Sequence, residues 1–365
     1  MESSVYCEYH PIAELFSHSC SYREQVEQFR SSFFRKQRWF SVKSSCCSPF
    51  SIVKEPLHTS SFRKLVVSGS MSLPVMAVVT LFLWLLPGPH RWDLWAGLGV
   101  AGLTTYLLME LNNRNSLLRV RSRMISVTYL FLLSFTPFLH SGSLASFLPL
   151  LLVLSYFMLF ASYQRNRPEG YIYHAFLLLG IGSLVFPYFG VLAFGFWFSM
   201  IFQLRSFTWR SLMASFLGLL TPYWLYAAYL IFNHRLRETL AVPVEMFRPE
   251  WIDLSQLPLS AVCFFGILLV LTIIAFAHFF YTAYNDKIRT RMLFYTIATQ
   301  EVLLAAGLLF FFRYMAELGG IFLLNSSFLL AHYYALAKGR AFNAWFNLSL
   351  FLLLALGLWN YCAAF

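Results

Sequence analysis

Residues 110–124 read ELNNRNSLLRVRSRM and stand between two long apolar runs. Four arginines, Arg114, Arg119, Arg121 and Arg123, fall within this short piece, and one acid, Glu110, lies at its edge. Of the 365 residues only 12% are charged and 59% are hydrophobic, whereas soluble domains carry about 25% charged residues. The charge is therefore missing from the flanks and gathered into connections. A helix needs about 20 apolar residues to cross a hydrocarbon core of about 30 Å. By that measure the sequence predicts about eleven spans, at 65–86, 94–111, 124–140, 144–162, 171–187, 188–204, 211–232, 257–283, 292–312, 315–337 and 343–363. The expected fold is all-α, a polytopic α-helical integral membrane protein. Barrel strands would alternate apolar and polar residues over about ten positions, which these runs do not do. Between 171–187 and 188–204, LVFPYFG must form a tight hairpin in which Pro187 and Gly190 end the helix. One kinked segment or two half-helices is the alternative there.

Short arginine-rich loops stay on the cytoplasmic side of a membrane, because translocating their charge is disfavoured. With 110–124 placed inside, alternation brings five more connections to the same side. They carry Arg63/Lys64, Arg165/Arg167, Arg205/Arg210, Lys287/Arg289/Arg291 and Lys338/Arg340. The opposite side receives Arg91, Arg235, Arg237, Arg248 and Arg313, five basic residues against fifteen. This predicts an inner-membrane location, a cytoplasmic N-terminus and an external C-terminus. The opening stretch is then first a topology signal, although basic juxtamembrane clusters also attract anionic headgroups. The net charge of +11 follows from the same bias plus a basic N-terminal segment. The expected partner is the lipid bilayer, not nucleic acid.

Residues 1–62 differ in kind, being polar and serine-rich, with Cys7, Cys20, Cys46 and Cys47 and no apolar run of signal-peptide type. They suit either a basic amphipathic helix on the membrane surface, around FFRKQRWF, or a disordered stretch or a start site placed too early. Cys7, His10, His18 and Cys20 do not have a zinc spacing, so no metal is expected. No Walker motif, HExxH, GxSxG or paired CxxC occurs, and no cofactor is expected either.

Ionisable residues deep in a bilayer are costly and invite a functional reading. YTIATQEVLLAAG places Glu301 near the middle of its span with Gln300 beside it, and LLNSSFLL brings Asn325 to a similar depth in the next. Asn325 is expected to bond Glu301, either as a proton- or substrate-coupled site or as a polar clamp between two helices. On the outer side, residues 233–256 form the longest connection, with Arg235, Arg237 and Arg248 among four acids. Such arginines suit the phosphates of a lipid-linked pyrophosphate, and a carboxylate suits general-base work on a sugar hydroxyl. Asp93, just beyond the first span, resembles in position the catalytic acid of integral-membrane glycosyltransferases of the GT-C type. The first outer loop here, PGPHRWDLW, is much shorter than theirs. Solvated interfacial charge with Trp92, Trp95 and Trp251 in an aromatic belt is the plain alternative.

LNNRNSLLRVRSRM, followed by QLRSFTWRSLMASFLGLLTPYWLYA, is similar to a group of bacterial multi-span inner-membrane proteins. There a span ends in an asparagine–arginine loop, and a later basic loop leads into a span with a Pro-Tyr-Trp kink. The resemblance covers roughly 63–363 and implies a location and a span count, but no chemistry. Three activities stay open from sequence alone. One is an envelope-glycan polymerase or transferase acting on lipid-linked saccharides at the outer face, through Asp93, Arg235, Arg237 and Arg248. The others are a secondary transporter built on Glu301 and a non-catalytic component of an envelope assembly. No inverted repeat supports the transporter.

Overall fold

The computed structural model describes residues 61–69, 71–88, 90–120, 122–140, 142–233, 259–311, 314–337 and 339–364. Among the described residues every regular element is helical. In chain order the α-helices are α1 Ser61–Ser68, α2 Ser72–Leu85, α3 Trp92–Asn115, α4 Met124–Ser134, α5 Leu148–Ala161 and α6 Glu169–Val185. Then follow α7 Leu192–Phe202, α8 Trp209–Phe232, α9 Leu259–Thr282, α10 Ile288–Phe310, α11 Met315–Leu336 and α12 Arg340–Ala364. The protein is an all-α, polytopic membrane protein. Each expected span has a helical counterpart, and among the described residues seven helices are long and apolar enough to cross a bilayer. The segments Ser72–Leu85, Met124–Ser134, Glu169–Val185 and Pro187–Phe202 are shorter. At 1.5 Å per residue α4 reaches only about 16 Å, roughly half a hydrocarbon core. It stops at Ser134 because a 3₁₀ turn at Pro137–Leu139 takes over. The proline has no N–H to extend a helix, and its ring disfavours helical geometry in the residue before it. The 65–86 run is likewise divided into α1 and α2. LVFPYFG does separate two helices, through a 3₁₀ turn at Pro187–Val191. The described unit places α6 mainly against α5 and α8, and α7 against α10.

The helix with the lowest mean hydropathy of the seven, α11, is the most buried. It packs on α4, α5, α9 and α10, so Asn325, Ser326, Ser327 and His332 all face protein and are fully buried. Polar side chains within a bilayer belong in the bundle interior, because lipid offers them no partner. The outer shell shows the complementary pattern. Val78, Phe82, Leu217, Trp224, Leu225 and Phe351 are exposed, a surface suited to lipid and aggregation-prone in water.

The α6–α8 seam depends on glycine. A Cβ at Gly180 would lie 2.7 Å from the Leu219 carbonyl oxygen and 3.0 Å from Pro222 Cγ, and one at Gly218 would lie 2.4 Å from the Tyr173 carbonyl. Missing side chains thus let the two backbones approach closely. Tyr223 then donates to Ser183 Oγ at 2.8 Å, and Tyr173 and Thr221 share a hydrogen bond of 3.2 Å. Gly218→Val is expected to force the helices apart at a cost of about 1–3 kcal/mol, seen as a lower melting midpoint in detergent. Gly99→Val, at a position with open space around it, should leave the midpoint in place.

The connections sort into two groups by contact. In the first, Ser122 Oγ donates to the Val67 carbonyl, and Arg63 donates to Asn343 Oδ1 at 2.9 Å and to the Tyr334 carbonyl. Arg289 donates to Asn115 Oδ1 at 3.1 Å and lies over the Tyr163 ring, while Gln164 N–H reaches the Leu204 carbonyl at 3.4 Å. In the second, Tyr361 donates to the Leu83 and Ser134 carbonyls, Asn360 to the Phe135 carbonyl, and Ser260 to Asn360 Oδ1. Trp84 Nε1 donates to the Leu94 carbonyl, and Phe186 packs on Tyr314. The first group joins the six basic connections, which share one end of the bundle.

Within that end the opening stretch is stitched down. Ser116, with φ of 49°, ends α3 in the left-handed region, and Asn112 Nδ2 donates to the Ser122 carbonyl at 2.9 Å. Arg119 Nε donates to Asp286 Oδ1, and His332 Nε2 lies 3.2 Å from Asp286 Oδ2. Arg114 pairs with Glu110 on the exposed face of α3 at 2.8 Å.

Candidate functional site

A cavity of about 450 Å³ opens at the opposite end of the bundle, within the range of small-ligand sites. Trp84 and Tyr129 supply aromatic walls, Ser143 a hydroxyl, and Pro149 and Val185 apolar surface. Glu317 is the one charged residue lining it. It stands in the first turn of α11, where the partial positive charge of a helix N-terminus favours a carboxylate. Among the described residues Glu317 makes no side-chain hydrogen bond or ion pair. The Trp84 ring is fixed by its bond to Leu94 and by stacking on His140 at 3.9 Å between centroids. A planar apolar face, hydroxyls and one carboxylate can hold a polar, hydroxyl-bearing group and accept a proton from it.

Asp93 lies near this cavity without lining it. Its backbone abuts Gly142, where a Cβ would stand 2.4 Å from the Asp93 carbonyl oxygen. The Asp93 carboxylate instead pairs with Arg91 at 2.7 Å and is well exposed, so a neighbouring guanidinium already occupies it. Arg235, Arg237 and Arg248 lie outside the described residues, as do Cys7, His10, His18 and Cys20. Helices α8 and α9, which carry the ends of the 233–256 connection, begin or finish at the cavity end. Comparison with family models, curated proteins and solved structures returned no match.

The mid-membrane residues form a separate, closed arrangement. Glu301 Oε2 accepts from Asn325 Nδ2 and Oε1 from Ser326 Oγ, both at 2.6 Å. Tyr156 on α5 donates to Asn325 Oδ1 at 2.6 Å, and Asn325 Nδ2 also reaches the Ile297 carbonyl at 3.0 Å. Gln300 turns the other way, donating to the Leu192 carbonyl at 3.3 Å across the gap left by Gly195. Helices α5, α7, α10 and α11 are thus tied at one level, with Glu301, Gln300, Asn325 and Tyr156 all buried.

The sequence reading passed over Glu317 and Asp286. The available signal for Glu317 was an acid at the very start of an apolar span, in RYMAELGG. For Asp286 it was a lone acid amid three basic residues in YNDKIRTR.

Proposed function

We propose that this is an inner-membrane enzyme of the cell envelope, a glycan polymerase or transferase that acts on lipid-linked saccharides at the outer face. What supports the reading is the cavity at the end away from the basic connections, with Glu317 as its one charged group. The positive-inside bias assigns the basic end to the cytoplasm and the cavity to the outside. The bundle then has eleven crossings, its N-terminus cytoplasmic and its C-terminus external. That count takes the four shorter apolar segments, Ser72–Leu85, Met124–Ser134, Glu169–Val185 and Pro187–Phe202, as crossings too.

In this mechanism an acceptor sugar hydroxyl lies against Glu317, which takes its proton as the oxygen attacks the anomeric carbon of the donor. The bond from that carbon to the lipid pyrophosphate breaks, and the pyrophosphate leaves with the electron pair. Arg235, Arg237 and Arg248, on the long outer connection, are assigned to the pyrophosphate. Asp93, held by Arg91, is assigned to orienting that arginine. Glu301, Gln300 and Asn325 act as a polar clamp, not as a transport site.

Mass spectrometry of surface glycans and lipid-linked intermediates from a clean deletion strain tests the proposal. Accumulated lipid-linked repeat units with shortened surface polymer are expected, and an unchanged profile would remove the enzyme reading. The clamp has its own test. Glu301→Ala leaves the Ser326 hydroxyl buried without its acceptor and is expected to cost about 1–3 kcal/mol of stability. Glu301→Gln, which keeps an acceptor oxygen, should cost less and should restore the glycan profile in the deletion strain. Loss of polymer with Glu301→Gln in a normally folded protein would favour transport instead.

A further inference from the structure

A second concave site lies on the flank of the bundle, at the level of its basic end. Helices α7, α9 and α10 border a cleft of about 720 Å³, walled by Phe198, Phe202, Phe280 and Tyr295. Its lining is overwhelmingly apolar, with Gln203 and Thr299 as the polar side chains. Gln203 is only 8% exposed and donates to Thr299 Oγ1 at 2.7 Å, while its Oε1 is buried with no hydrogen-bond partner. A buried amide oxygen without a donor is destabilising, and Gln203 lines the cleft, so a bound hydroxyl that reaches past the side chains covering this oxygen would satisfy it.

Two arginines sit at the same end. Arg205 follows Gln203 by two residues and is exposed. Arg291 precedes Tyr295, Ala298 and Val302 on one stripe of α10, and those three line the cleft. The Arg291 Nε is buried and makes no hydrogen bond, and neither arginine has a side-chain partner among the described residues. Neither arginine lines the cleft itself, but each lies within two residues of one that does, Arg205 of Gln203 and Arg291 of Met292.

We propose that this cleft binds one anionic phospholipid with a hydroxyl-bearing headgroup. An acyl chain lies along the phenylalanines and Val302, the phosphate meets Arg205 and Arg291, and a headgroup hydroxyl donates to Gln203 Oε1. Guanidinium groups suit phosphate, and an apolar cleft in the bilayer gives the chain a protein wall on one side. This site is distinct from the Glu317 cavity, and its test does not depend on any enzymatic activity.

The test is lipid analysis by mass spectrometry of the full chain, purified in mild detergent from membranes of known lipid composition. Phosphatidylglycerol is expected to be enriched several-fold over phosphatidylethanolamine relative to the source membrane. The double variant Arg205→Gln/Arg291→Gln should abolish that enrichment. Gln203→Leu should remove the preference for phosphatidylglycerol over phosphatidic acid, which has no headgroup hydroxyl. Val302→Trp, at an exposed position, should lower total retained lipid, with the melting midpoint checking that each variant folds. Wild-type protein carrying lipid in the bulk ratio would overturn the proposal, and so would enrichment that survives loss of both arginines. Release of the lipid by excess inorganic phosphate would also overturn it, since the site would then read the phosphate alone.

Discussion

Glu317→Gln is expected to lower polymer formation by about 10²- to 10⁴-fold while the protein keeps its fold and membrane level, the usual cost of removing a general base. The substitution is nearly isosteric, and no hydrogen bond or ion pair of Glu317 is lost among the described residues, so stability should scarcely change. Asp93→Asn is expected to have a smaller effect, because that carboxylate is exposed and paired with Arg91. Complementation of a deletion strain, with lipid-linked intermediates and surface polymer both quantified, separates the two. Full activity with Glu317→Gln would remove the carboxylate from the mechanism.

At the other end of the bundle, Arg119→Met is expected to destabilise the protein by about 3 kcal/mol. Asp286 has a side chain only 1% exposed and sits between Arg119 and His332. Removing one partner of a buried pair costs about 3–5 kcal/mol, since the remaining charge stays desolvated. The lower end applies because the Arg119 side chain is 37% exposed. Pairing with Asp286→Asn should recover part of the loss, because the orphaned charge is gone. Additive melting shifts in the double variant would contradict the coupling. Burial pushes the Asp286 carboxyl up, but hydrogen bonds from His332 and Arg119 outweigh it and hold it below the usual carboxylate range. A group with a depressed folded pKa stabilises above its unfolded pKa of about 3.9 and loses that contribution as pH falls through the folded value. Wild-type protein should therefore keep this contribution at pH 5 and surrender it only in stronger acid. Asp286→Asn should flatten that part of the acid melting profile.

The arginines of 110–124 carried more than their charge shows. Their count marks the end of the bundle on which they lie. That Arg119 would engage Asp286, some 167 positions away, was not legible, because no local pattern links the two. The spans were legible as apolar runs, but their lengths were not. Hydropathy sums the residues of a run and cannot tell a lipid-facing face from a core face. Thus α4, buried from Met124 to Leu130, scores like a span while being only eleven residues long. Glu301 and Asn325 stood out because polar residues are rare in such runs. Tyr156, the third partner, did not, since tyrosine is common in a chain with 20 of them. Glu317 was obscured by its position at a helix start, where an acid is ordinary on dipole grounds.

The most direct measurement is cysteine labelling of intact cells, with the six native cysteines replaced. Single cysteines at Ser143, which lines the Glu317 cavity, and at Asn115, in the basic connection that Arg289 contacts, report the two ends. A membrane-impermeant maleimide is expected to label Ser143→Cys in intact cells, and Asn115→Cys only after permeabilisation. The reverse pattern would place the cavity in the cytoplasm and contradict an enzyme working at the outer face.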